Sequence, residues 1–207
     1  MSIALSLGNN ITTGGIFKAA AVNNTSCNNV TDFASVPAAA TMVLLSTQTA
    51  SASASISFTT GIDSTYDEYV FKFINCHPST NAAHFTFNLS TDGGSNYNVT
   101  KTTTYFQAYQ SEAGATDFQY IAVYDLAQST AYQMLGAELG ADADESFCGT
   151  LQLFQPSSTT YVKHFISRAG FYNEANRAAS DYVAGYGNTT SAINAIDFKM
   201  SSGNIDD

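Results

Sequence analysis

An alternation with a period of two constrains this chain more than any other feature. Ala52, Ala54, Ile56 and Phe58 alternate with Ser51, Ser53, Ser55 and Ser57, and Phe85, Phe87 and Leu89 alternate with Thr86, Asn88 and Ser90. Successive side chains of a strand point to opposite faces, so such runs bury one face and wet the other. Glu68 to Cys76 carries Tyr69, Val70, Phe71, Phe73 and Ile74 and is apolar on both faces apart from Lys72, the pattern of a central strand. Further β-rich pieces run over Thr102 to Tyr109, Gln119 to Leu126, Thr130 to Leu135, Leu151 to Phe154, Tyr161 to Ile166, Tyr182 to Tyr186 and Ile196 to Met200. Turn residues separate them, and Asp92-Gly93-Gly94 reads as a hairpin turn. Only Ser111 to Thr116 and Glu174 to Ser180 have room for a helical turn or two, and neither carries an amphipathic stripe. The expectation is an all-β fold of around ten strands, a jelly-roll-like antiparallel β-sandwich spanning residues 39–207.

Residues 1–38 have a different texture. Gly14-Gly15, Asn23-Asn24 and Asn28-Asn29 interrupt short apolar pieces, no period is sustained, and Pro37 closes the stretch. It reads as an N-terminal extended arm with little core of its own, to be ordered by docking on something else. Met1 to Leu5 lacks the basic start of a secretory signal, so export by a cleaved leader is not expected, and no apolar run approaches the length of a membrane span.

Charge narrows the partners. Charged residues are 12% of the chain, and 7 Lys and Arg stand against 17 Asp and Glu, a formal net charge of -10. A phosphate backbone needs a basic stripe, so nucleic-acid binding is not expected, and anionic membranes are disfavoured for the same reason. Ser, Thr and Asn fill the gap left by the missing charges and give a neutral polar surface.

Catalytic and ligand motifs are sparse. The chain has no GxSxG elbow, GxxxxGK[ST] loop or GxGxxG loop. His84 and His164 sit in strand patterns beside Phe85 and Phe165, where ordinary sheet positions account for them. Zinc would require Cys76, His77, His84 and the distant Cys148 to meet through the tertiary fold. Asp142-Ala143-Asp144-Glu145 begins like a calcium loop but lacks its glycine and closing glutamate, and reads as a solvated loop with a nonstandard Ca²⁺ site as the sharper alternative. Cys27, Cys76 and Cys148 read as free buried thiols. No catalytic residue, cofactor or metal site is expected. The 14 Phe and 12 Tyr are first a core device, and Tyr105, Tyr109, Tyr120 and Tyr124 are the candidates for an exposed sugar-stacking platform.

Several segments resemble a family of β-sandwich proteins of marine tailed bacteriophages, described as virion structural or tail-fibre-like proteins. They are Ser51 to Phe58, Gly61 to Tyr66, Tyr69 to Phe71, Ser90 to Tyr97, Asp125 to Thr130, Phe154 to Phe165, Ala184 to Tyr186, Asn188 to Ile193 and Phe198 to Ile205. The resemblance covers about residues 41–205 and implies a non-enzymatic virion protein, assembled in the host cytoplasm. The arm does not resemble the repetitive stems of many relatives, which favours a head-decoration (cement) protein docked on the major capsid protein or other virion proteins through residues 1–38. The alternative is a tail-fibre or adhesin module recognising host surface glycan. Relatives usually continue beyond the Gly-Asn-Ile segment into one more strand, whereas here Asp206-Asp207 follows. That departure leads to the expectation of an open sheet edge near Ile196 to Met200, closed by neighbouring chains in a homotrimer.

Overall fold

A computed structural model describes residues 42–206. The chain divides into two units, Met1–Val43 and Leu44–Asp207. The arm expected over residues 1–38 lies outside the described residues.

The second unit is all-β and antiparallel. Its strands are β1 (Ile56–Phe58), β2 (Glu68–Cys76), β3 (Ala83–Ser90), β4 (Lys101–Ser111), β5 (Thr116–Tyr120), β6 (Gln133–Leu139), β7 (Phe147–Phe154), β8 (Lys163–Asn173), β9 (Arg177–Gly187) and β10 (Ala195–Met200). One layer has the order β1-β10-β3-β6 and the other β2-β7-β8-β9-β4-β5. A single pair, Leu139 with Asn173, joins them at one corner.

The pairing identifies the topology. A jelly roll folds a long antiparallel ribbon so that the first strand pairs with the last, and the inner pairs nest within it. Here β1 pairs with β10, β2 with β7, β3 with β6 and β4 with β5. The departure is the β8–β9 hairpin, inserted between β7 and β4 through the β7·β8 and β4·β9 ladders. Two added strands preserve the antiparallel sense on both sides, so the insertion widens one layer to six strands without disturbing the nesting.

The core lies between the layers. Phe85, Phe87 and Leu89 of β3 and Ile196, Phe198 and Met200 of β10 face Tyr69 and Phe73 of β2, Leu151 and Leu153 of β7 and Phe165 of β8. Period-2 alternation on both strands of each pair makes this possible, because it sends one apolar row inward per strand.

Several sequence expectations shift. The Ser51-to-Phe58 strand shortens to β1, because Ala52 takes φ 48° and Ser53 bridges Ile205 instead. The apolar run Glu68 to Cys76 forms an edge strand, not a central one, since β2 pairs with β7 alone. The Gln119-to-Leu126 piece stops at Tyr120 and passes into a 3-10 turn over Ala122–Tyr124. Neither helical candidate is a helix: Ser111 to Thr116 is the β4–β5 turn, where Ser111 accepts from Gly114 and Ala115, and Glu174 to Ser180 is the β8–β9 turn, where Asn173 receives the Asn176 N–H at 3.0 Å, followed by the start of β9. Asp92-Gly93-Gly94 does turn, but the chain then crosses to the other layer rather than forming a hairpin. Ser90 Oγ donates to Asp92 Oδ1 at 2.7 Å, and Asn96 gives that carboxylate its backbone and side-chain N–H. Those hydrogen bonds hold the Asp92 carboxyl at about 2, with Asn96 the largest contributor. Gly94 sits there at φ +89°, where a Cβ would meet Tyr97 and Thr59.

The open-edge expectation also fails. β10 is paired on both sides, with β1 and β3, and even its second face is covered at Asp197. The sheet edges are β1 and β6 in one layer and β2 and β5 in the other.

Candidate functional site

The chain's scarce charges are placed unusually. Asp181 of β9 is fully buried on the inward row between Ala179 and Val183. Tyr105 Oη donates to its Oδ2, Gln107 Nε2 donates to Oδ1 at 2.7 Å, and the Ala137 N–H from the opposite layer reaches Oδ2 at 3.1 Å. Burial pushes this carboxyl up to about 6, against the pull of those three donors. Alongside it Thr103 Oγ1 donates to Gln133 Oε1 at 2.6 Å, and Gln133 Nε2 donates to the Tyr124 and Met134 carbonyls.

Lys101 of β4 is also fully buried. Its ammonium donates to Asn88 Oδ1 at 2.5 Å and Val99 O at 2.8 Å, while Asn88 Nδ2 ties down the Tyr97 and Thr130 carbonyls. Burial lowers the lysine to about 7. Lys163 of β8 is likewise buried and holds the Tyr161 and Thr189 carbonyls. On β10, Asp197 accepts from Ser57 Oγ at 2.5 Å and Tyr132 Oη at 2.9 Å, with Lys199 Nζ 4.0 Å from the Tyr132 ring centroid. Each of these ions fastens a loop or a strand.

The residues singled out from sequence do not converge. His84 accepts the Glu138 N–H through Nδ1 at 3.0 Å, and burial lowers its pKa. His77 Nε2 lies 3.0 Å from the Asp142 carbonyl, and His164 stands on the outer surface of β8 beside Tyr186. Glu145 folds into its own turn, its Oε2 accepting the Asp142 N–H at 2.8 Å, and among the described residues no three His, Cys, Asp or Glu side chains gather as a metal site. Of the two cysteines described, Cys76 is half-buried, with its thiol pushed up to about 11 by burial, but Cys148 is exposed, contrary to expectation. Cys27 lies outside the described residues. The tyrosine platform is overturned: Tyr105 is fully buried, Tyr109 and Tyr124 pack against the core, and only Tyr120 of the four is exposed.

What sequence reasoning missed is the outward face of the six-stranded layer. Register places Lys72, Thr150, Arg168, Tyr182, Phe106 and Tyr120 in one row across it. Phe106 and Tyr182 stack with centroids 5.0 Å apart and planes 5° from parallel, Phe118 meets Phe106 edge-on at 5.6 Å, and the Arg168 guanidinium sits 5.4 Å from the Tyr182 centroid. Two shallow hollows flank this ridge. One, of about 500 Å³, is lined by Phe154, His164, Ile166, Ala184, Tyr186 and Thr104, and the other, of about 380 Å³, by Cys148, Thr150, Gly170 and Ser180. The signal was available in the apolar outward residues of β2, Val70 and Ile74, which the central-strand reading absorbed.

Comparison with known protein families, characterised proteins and solved structures finds no match. The phage-family resemblance therefore rests on the sequence segments themselves.

Proposed function

We propose that this chain is a non-enzymatic structural protein of the virion surface of a tailed bacteriophage, specifically a head-decoration protein. The observation that carries the reading is the use made of the rare charges. Lys101, Lys163, Asp181, Asp197 and Glu145 are buried and hold hydrogen bonds that fasten loops, strands and layers, a structural use of the few charges the chain has. The jelly-roll connectivity and the segments resembling phage virion proteins support the same reading, as does the neutral Ser/Thr/Asn surface. Residues 1–38 would supply attachment to the capsid while the sandwich projects outward.

Two experiments test it. Locating the chain in a map of purified virions should place it on the head, in a copy number that follows the capsid subunits. A position at the tail tip, in a number set by the tail, would replace decoration with adhesion. Deleting residues 1–38 should abolish capsid attachment and leave a folded sandwich. Full decoration by the truncated chain would show the arm reading to be wrong. The glycan alternative loses the platform on which it was based, because Tyr105, Tyr109 and Tyr124 turn into the core.

A further inference from the structure

We infer that the outward face of the six-stranded layer is a homodimer interface, in which two copies of this chain pack sheet on sheet about a two-fold axis. The first observation is charge. In a chain of net charge -10, the outward positions of β2, β7, β8, β9, β4 and β5 carry Lys72, Arg168 and a single carboxylate, Glu68, already engaged by Gln152 Nε2 at 3.0 Å. Two such acidic chains repel wherever their carboxylates meet, and here only Glu68 stands on the strands themselves, while Asp125 and Glu112 come to the face from loops as acceptors for the Tyr120 and Tyr172 hydroxyls.

The second observation is apolar exposure. Ile74, Ile166 and Phe118 on this face are 74%, 49% and 70% exposed, and Tyr120 is 59% exposed. The edge strand β2 presents apolar residues on both faces, which a strand covered on one side only does not require. Exposed apolar residues concentrated on one sheet face mark an interaction surface, and aromatic and arginine side chains are the ones enriched in interface cores.

Shape supplies the third. The Arg168–Tyr182–Phe106 ridge runs between two hollows floored by small residues, among them Ala184, Gly170 and Ser180. A two-fold operation sets the ridge of each copy into a hollow of the other, the self-complementary arrangement that an isologous interface demands. This replaces the strand-edge trimer as the mode of association, since the edge that argument needed is internal.

The test is the mass of the purified full-length protein by light scattering across a dilution series. Twice the 22.0 kDa chain mass is expected at the highest concentrations, and either a monomer throughout or a trimer overturns the inference. Ile166→Asp and Ala184→Arg place a charge and a bulky group in the larger hollow without touching the core, and each should weaken the dimer by about tenfold or more. Val123→Asp, in the 3-10 turn beyond β5, should leave it intact. A dimer indifferent to both hollow variants, with unchanged thermal midpoints showing that they fold, overturns the assignment of the face. So does a monomer whose hollow variants instead lose binding to host polysaccharide. Capsid attachment is read separately, so failure of the dimer is distinguishable from failure of the decoration reading.

Discussion

Between β1, β10, β3, β2 and β7 the two layers meet through phenylalanine; between β6, β9 and β4 they meet through hydrogen bonds. In the first region the Phe198 ring lies within 6.4 Å, centroid to centroid, of Phe58, Phe71, Phe73, Phe85 and Phe87. In the second, Asp181, Tyr105, Gln107, Thr103 and Gln133 occupy inward positions that elsewhere hold Leu and Phe. Apolar packing is tolerant in direction and costly to hollow out, whereas a buried polar network is directional and costly to leave unpaired. The same fold thus contains two kinds of core, and they should fail differently.

Phe198→Ala attacks the first region at its hub and should cost about 3–5 kcal/mol, read from the shift of a urea unfolding midpoint. Gln133→Leu attacks the second. It conserves much of the volume but strands the Thr103 hydroxyl and the Tyr124 and Met134 carbonyls, and should cost about 1–3 kcal/mol. If Gln133→Leu is neutral, the hydrogen bonds of that region are not what holds it. Gly136→Ala tests the boundary between the two, because a Cβ on β6 would run into the Phe147 ring; about 1–2 kcal/mol of destabilisation is expected from overpacking. Tyr120→Phe, which removes the hydroxyl donating to Asp125 at the exposed β5 edge, should change stability by less than about 0.5 kcal/mol.

The aromatic region was legible in the sequence, and the polar region was not. Phe85, Phe87, Leu89, Ile196, Phe198 and Met200 announce their inward rows by alternation, and β2 has the ends the sequence indicated. Asp181 and Lys101 hide because they stand on inward rows among residues that polarity assigns to the surface. The strand piece read from Tyr182 to Tyr186 begins one residue after Asp181, while β9 starts at Arg177. Strand order was invisible for a different reason. Alternation reports which face is buried, not which neighbours a strand pairs with, so β2 read as central and β10 as an edge. The ridge on the outer face depends on cross-strand register linking residues as distant as Lys72 and Tyr182, which no local pattern encodes.

Buried ionisable groups give the polar region a sharp pH signature. Asp181 titrates at about 6 when folded against an ordinary 3.8, so the native state binds the extra proton between those values and stability falls as pH rises through that window. The shift corresponds to about 3 kcal/mol. Lys101 titrates at about 7 against 10.5, so there the unfolded state binds the extra proton and stability rises as pH climbs from 7 towards 10.5. Unfolding free energy measured by urea titration from pH 4 to pH 10 should therefore pass through a minimum near neutrality. Asp181→Asn should remove the acid limb and leave the alkaline one. A wild-type profile flat across this range, or an acid limb that survives in Asp181→Asn, would contradict the account.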